Sequence, residues 1–415
     1  MIGSLTLFPS PCLLTSCFSP TLSGKTKPKA SQKLNDFPMI LVHGLTGWGR
    51  DEMGGIKYWG GVRDLEEYLN EKGHKTYTAA VGPVSSNWDR AVELYAYIKG
   101  GTVDYGAAHA KEHGHERFGR TYPGIYSQWD ATEKIHLVGH SMGGQTIRTL
   151  VELLENGSAA EREYFEQHPE EGLSDLFKGG KDWVHSVTTL ATPHNGSTFA
   201  DEEEMTPWLN QMVFYAGSLS GASDENIVYD YKLDQWGLQR EEGESYFVYV
   251  DRVFNSSIWT SKDSSLNDLT TYGAAKLNEW VKTHPDVYYF SYTGDATYKG
   301  VLTGRAYPQY SMNPLMKASS MLMGFYSRKS PEPVIDSAWW PNDGIVNVVS
   351  AKYPHGHAHK MFDGHVEKGV WNHFGVQSGW DHFDFIGIGS EDNLGLKDIY
   401  SFYKGIADNL HGLPE

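Results

Sequence analysis

A mostly parallel, doubly wound α/β sheet is predicted by three observations. Short apolar runs alternate with amphipathic helical stretches along the chain. The apolar runs lack a polar alternate residue, as strands covered on both faces do. One of them, KIHLVGH, passes directly into the helical pattern GGQTIRTLVELLENG through a serine flanked by glycines.

The elements follow in order. FPMILVHG (37–44) reads as a buried strand ended by glycine. RDLEEYLNEKG (63–73) has helical spacing with a glycine stop. KTYTAAVG (75–82) is the next strand and NWDRAVELYAYIKGG (87–101) the next helix. KIHLVGH (134–140), WVHSVTTLATP (183–193) and DVYYFSYTG (286–294) are further strands, and the helix at 143–157 places apolar residues at i, i+3, i+4 and i+7. Between about 200 and 270 the alternation breaks. DEEEMTPWLNQMVFYAGSLSG and GESYFVYVDRVFNSSIW have helical period and large apolar faces, as insertions that cover something.

Composition sets bounds. The chain has 415 residues with 40% apolar content, enough for one α/β domain with insertions. The net charge of −17 repels phosphate backbones, which discards nucleic-acid binding. No run approaches the roughly 20 apolar residues of a membrane span, and no repeat of solenoid length is present. Residues 1 to about 35 are rich in Ser, Pro and Thr, and carry both cysteines, Cys12 and Cys17. No Lys or Arg precedes Lys25, and Pro9 and Pro11 interrupt the apolar run, so this stretch makes an atypical secretory signal. We read it as a removable or disordered leader. Residues 36–415 are read as a single domain.

GHSMGG (139–144) carries the chemistry. It matches G-x-S-x-G between strand and helix, the elbow of the α/β-hydrolase fold. The tight turn exposes the oxygen of Ser141, and Gly139 and Gly143 let strand and helix pass closely. The helix start adds partial positive charge where an oxyanion develops. A serine nucleophile needs a base, which an acid orients, and in this fold the order is Ser, then Asp or Glu, then His. Histidines after Ser141 include His194, His284, His355, His357, His359, His365, His373 and His382. His382, in GWDHFDFIGIG near the C-terminus, lies where a loop returns to the elbow; Asp343, in WWPNDGIVNVVS, is the candidate acid. The backbone N–H groups of Met142 and of Leu45, in HGLTGWG (43–49), are candidates for the oxyanion hole.

These residues resemble a known family. HGLTGWGRDEM, YWGG, VGPVSSNWDRA, GGTVDYGAAHAKEHGHERFGRTYPG, GHSMGGQT, ATPHNGS, KLDQWGL and NDGIVN look like the thermoalkalophilic Bacillus-type lipases and their staphylococcal relatives, over about residues 37–410. The Bacillus-type pattern has Ala and Gln at positions 139 and 142; this chain has Gly139 and Met142, as the staphylococcal branch does. The resemblance implies a secreted triacylglycerol lipase with a lid, one zinc and one calcium. It gives Ser141, Asp343 and His382 the roles of nucleophile, acid and base, and Leu45 and Met142 those of oxyanion donors.

Asp89, His109, His113, His115 and Asp263 form a pool of metal ligands, and two imidazoles with two carboxylates fill a tetrahedral zinc shell. The resemblance selects Asp89, His109, His115 and Asp263, and leaves His113 over. The zinc would be structural, tying a region at about 85–120 to the insertion at about 200–270. For calcium it implies Asp384, two residues after the base, a carbonyl of Ser311, and a later Asp. That last position reads Gly389 and Ser390, with Glu391 or Asp392 as substitutes. MTPWLNQMVFYAGSL (205–219) fits a lid whose apolar face meets lipid. It looks shorter than the thermoalkalophilic one, which leaves room for a carboxylesterase or polyester hydrolase. The expected partner is a lipid or ester substrate at an oil–water interface, and the expected state a monomer or weak dimer.

Overall fold

A computed structural model describes residues 34–202, 229–388 and 397–415. The lid stretch 205–219, Gly389, Ser390, Glu391 and Asp392 lie outside these residues.

Strand β1 (Met39–Val42) is followed by α1 (Leu65–Glu71), β2 (Thr76–Ala79) and α2 (Asn87–Lys99). Next come β3 (Gly101–Asp104), α3 (Ala107–His113), β4 (Phe118–Tyr122), β5 (Ile135–His140) and α4 (Met142–Asn156). The later strands are β6 (Val184–Leu190), β7 (Tyr288–Tyr292), β8 (Gly294–Asp295), β9 (Thr297–Lys299), β10 (Ala306–Pro308), β11 (His359–Met361) and β12 (Trp371–His373). Seven of these form one sheet in the order β11-β12-β7-β6-β5-β1-β2, and every pairing in it is parallel.

The sheet explains the unalternating apolar runs. In β1, Ile40 and Val42 join one apolar layer, with Leu137 and residues of α2 and α4. Met39 and Leu41 face the other, with Leu69, Tyr403 and Leu410. Both faces of each central strand are covered, so apolar residues do not alternate with exposed polar ones, and the polar residues of β5 and β6 such as His136, Ser186 and Thr188 are themselves buried. The predicted strands and helices appear within a few residues of their expected ends. The β3–β4 hairpin and the edge strands β11 and β12 go beyond the sequence reading.

The second insertion stretch forms the helix Tyr246–Phe254, with Tyr246, Tyr249 and Val253 buried. They pack with Met53, Tyr229 and Tyr231 in a cluster separate from the sheet layers. Met53 and Tyr229 also line the cavity beside Ser141, so this insertion helps to wall the site.

Candidate active site and metal centre

Ser141, the candidate nucleophile, sits where β5 turns into α4. Ser141 has φ +56° and ψ −132°, a conformation that costs a non-glycine residue about 1–3 kcal/mol. The neighbours permit it. A Cβ on Gly143 would lie 2.2 Å from the carbonyl oxygen of Val42, and one on Gly139 would lie 2.5 Å from the carbonyl carbon of Gly143. Any side chain there would push the helix off the sheet and the serine out of its strained turn.

The elbow and two loops bring the three expected residues together. His382 Nε2 lies 2.9 Å from Ser141 Oγ, and His382 Nδ1 lies 2.8 Å from Asp343 Oδ2. The backbone N–H of His382 donates to the carbonyl of Asp343 at 2.9 Å, joining the acid and base loops directly. The other carboxylate oxygen of Asp343 accepts from the N–H groups of Ile345 (3.0 Å) and Val346 (2.7 Å). An acid so held fixes the imidazole tautomer with Nε2 free to take the serine proton.

Met142 begins α4, where the first-turn N–H groups have no helical carbonyl to meet. Leu45 lines the cavity beside Ser141. Its loop is fixed on both sides, by Gly44 N–H donating to the Tyr58 hydroxyl at 2.9 Å and Thr46 N–H donating to Pro83 O at 2.9 Å. The cavity is about 260 Å³ and is walled mostly by apolar side chains, including Leu45, Phe199, Leu269, Leu315 and Ile388. Such walls suit an aliphatic acyl chain.

Two supports escaped the sequence reading. The guanidinium of buried Arg90 donates to His43 O, Gly82 O and Thr146 Oγ1, lashing the loop after β1 to α4. His140, the residue before the nucleophile, bonds both Tyr58 and the His382 backbone. Nothing in local spacing signals either, because each joins segments far apart in the chain.

The zinc candidates also converge. Asp89 lies in the first turn of α2, whose cap is the Ser86 side chain. His109 is on α3, and Gly114, in the left-handed region, ends that helix so that His115 turns back beside it. Asp263 comes from the loop before a short helix at Ser265–Asp268. His109 Nε2 is 3.2 Å from Asp89 Oδ1 and 3.3 Å from Asp263 Oδ2, and His115 Nε2 is 3.2 Å from Asp263 Oδ2. A tetrahedral shell with zinc–ligand bonds near 2.0 Å has edges of about 3.3 Å. These same four atoms are buried without a hydrogen-bond partner, which is costly unless a cation satisfies them.

The surroundings fit as well. His115 Nδ1 donates to Glu116 O at 2.9 Å, turning Nε2 inward as an acceptor. Gln235 donates to the outer oxygen of Asp89 at 2.7 Å. Trp88 stacks on His109 with centroids 4.9 Å apart. Burial opposes protonation of His109, yet the Asp263 and Asp89 carboxylates lift it to about 10, a measure of the negative field at this point. The leftover His113 stands outside the four-residue group.

The calcium expectation does not gain the same fit. Asp384 is buried, and its Oδ2 is bonded by the Lys397 ammonium and by the Asp381 N–H. Asp381 is itself committed to the N–H groups of Asn313, Phe383 and Asp384. An internal cation therefore sits on the carboxylate assigned to the metal, and Ser311 is exposed. The described residues do not form a calcium cage.

Known proteins share this architecture. The profile of the family described as "Lipase-like, C-terminal domain" matches residues 35–413. Lipase 1 of Staphylococcus aureus (strain MRSA252) is 42% identical over 387 residues, covering 92% of this chain and 55% of the relative. The chain thus spans about half the length of such staphylococcal relatives. EstA from Clostridium botulinum superposes with a TM-score of 0.86 at 46% identity, over 94% of this chain and 90% of that one. Lipase 1 from Pelosinus fermentans gives 0.82 at 47%, over 92% and 100%. The Staphylococcus hyicus lipase gives 0.78 at 38%, over 94% and 98%.

Proposed function

Because the chain belongs to the lipase family whose C-terminal-domain profile spans residues 35–413, we propose that it is a triacylglycerol lipase working through an acyl-enzyme on Ser141. The observation that carries this reading is the Ser141–His382–Asp343 array opening onto an apolar cavity.

In this reading His382 Nε2 takes the Ser141 proton as Oγ attacks the ester carbonyl. The oxyanion is met by the N–H groups of Leu45 and Met142, and the positive end of α4 adds to them. Collapse breaks the ester C–O bond, and the alcohol leaves with the proton from His382. Water, deprotonated by the same imidazole, then releases the fatty acid. Asp343 holds the ring and stabilises its cationic form throughout.

Asp89, His109, His115 and Asp263 are the residues to hold zinc. When bound, zinc supplies a structural cross-link between α2, α3 and the 263 loop, since all four positions are filled by protein. No helix among the described residues is long and apolar enough to cross a membrane. We propose that the protein is secreted, as the family resemblance implies.

A p-nitrophenyl phosphonate tests the mechanism. One equivalent of p-nitrophenol should be released per chain, with the adduct mapping to Ser141. Labelling elsewhere, or none, would remove the nucleophile assignment.

A further inference from the structure

We propose that the segment from Ala296 to Pro331 is the surface by which this protein attaches to a lipid–water interface bearing fatty-acid carboxylates. The proposal rests on the ester-hydrolase reading above, because that reaction generates those carboxylates.

The segment begins with the antiparallel hairpin β9–β10. Its tip carries Val301 and Leu302, which are 99% and 98% exposed. Next to β10 lies the helix Lys317–Phe325. Gly324 allows that contact, since a Cβ there would sit 2.1 Å from Ala306 O, and Tyr307 and Phe325 meet edge to face at 5.2 Å. The helix presents apolar side chains both inward and outward. Met323 packs inward with Met142, beside the nucleophile. Met321, Leu322 and Phe325 are exposed outward. Leu315, just before the helix, is at once 45% exposed and part of the cavity wall. An apolar strip therefore runs from the cavity lip outward to the hairpin. Single exposed apolar residues are ordinary, but a contiguous set beside a site marks an interaction surface.

Charge selects the occupant. The chain carries 52 acidic against 35 basic residues. Between Ala296 and Pro331 there are Lys299, Arg305, Lys317, Arg328 and Lys329, and no Asp or Glu. Arg328 is spent on Asp201 at 2.8 Å, whereas Lys299 and Lys329 are exposed. An acidic protein is repelled by an anionic surface unless a basic patch turns toward it within a Debye length of about 8 Å. Basic residues flanking apolar ones make a strip that inserts its apolar side chains while its cations meet surface carboxylates. A second copy is a poor occupant, because pairing strip to strip would bring like charges together.

The test uses the full chain with Ser141→Ala, so that vesicles are not degraded, and flotation with phosphatidylcholine vesicles with or without oleate, at alkaline pH. Binding should be stronger with oleate and should weaken with salt. Adding Val301→Asp and Leu302→Asp should cut binding to oleate vesicles by about tenfold or more. The same pair in the Ser141 enzyme should leave the melting temperature and turnover of dissolved p-nitrophenyl acetate unchanged. Equal binding by parent and variant would overturn the proposal, as would a parent that ignores oleate or forms dimers that the pair abolishes. A chain that floats with oleate vesicles but hydrolyses no ester would overturn the hydrolase reading and leave the attachment surface standing.

Discussion

His140 donates from Nε2 to the backbone carbonyl of His382 at 3.0 Å, so the residue before the proposed nucleophile holds the loop that carries the proposed base. A carbonyl only accepts, which places the ring proton on Nε2 and leaves Nδ1 to accept from the Tyr58 hydroxyl at 2.7 Å. Burial keeps His140 neutral by pushing its pKa well below the usual imidazole value, consistent with one ring proton. Tyr58 in turn accepts from Gly44 N–H at 2.9 Å, next to Leu45, the proposed oxyanion donor. The loop of His382, the residue before Ser141 and the loop of Leu45 are thus joined by one relay of hydrogen bonds.

Tyr58 is accordingly a positioning residue. Tyr58→Phe removes the hydroxyl and leaves two buried groups unpaired, at a cost of roughly 1–3 kcal/mol. On a dissolved ester, kcat should fall about tenfold with KM nearly unchanged. Tyr58 also lines the cavity, so a rise in KM at constant kcat would assign it to substrate contact instead.

The metal assignment predicts about one zinc per chain by mass spectrometry of the purified protein. His109→Ala should abolish that content and lower the melting temperature, as should a strong chelator. The Ser141–His382 contact lies on other loops, so turnover well below the melting temperature should largely survive. Unchanged metal content in the variant would return His109 to a plain hydrogen-bonding role.

Acid should weaken the fold earlier than carboxylates alone would. Burial lowers His43, His136, His140 and His194 well below the usual imidazole value, and takes His185 down to about 4. Their folded values lie below the unfolded one. The stability they contribute is therefore complete above about pH 6.5 and is lost as the pH falls. Each contributes a slope of about 1.4 kcal/mol per pH unit until its folded value is reached. Thermal melts between about pH 8 and pH 5 should show a falling midpoint, with a shallower fall in His136→Gln. A flat profile would contradict the buried neutral imidazoles.

Lys397 on Asp384 predicts that the calcium chelator EGTA leaves the melting temperature unchanged. A clear drop would mean that calcium binds through residues outside the described segments, as Asp392 is expected to do.

Local spacing made the elbow from Ile135 to Gly144 legible, because an apolar strand, a glycine-flanked serine and an amphipathic helix follow without interruption. Chain order left many histidines after Ser141; position near the C-terminus favoured His382 and a glycine-containing turn favoured Asp343, and resemblance then implied the three roles and selected the four zinc residues. The edge strands β11 and β12 were not legible, since three residues are too few to display a period. The β3–β4 hairpin lies in a polar, glycine-rich run that looks like a loop. Tyr58 and His140 are separated by 82 positions, and Lys397 meets Asp384 only through tertiary packing, so neither pair leaves a trace in sequence.

Titrating the fatty acid released from emulsified triacylglycerol by the wild type and by Ser141→Ala is the decisive measurement. The wild type should release fatty acid steadily and the variant should lose at least about 10⁴-fold, with an unchanged circular dichroism spectrum. Retained release by the variant would contradict the nucleophile. A wild type that hydrolyses short dissolved esters but releases nothing from triacylglycerol would contradict the lipase assignment and make this a carboxylesterase.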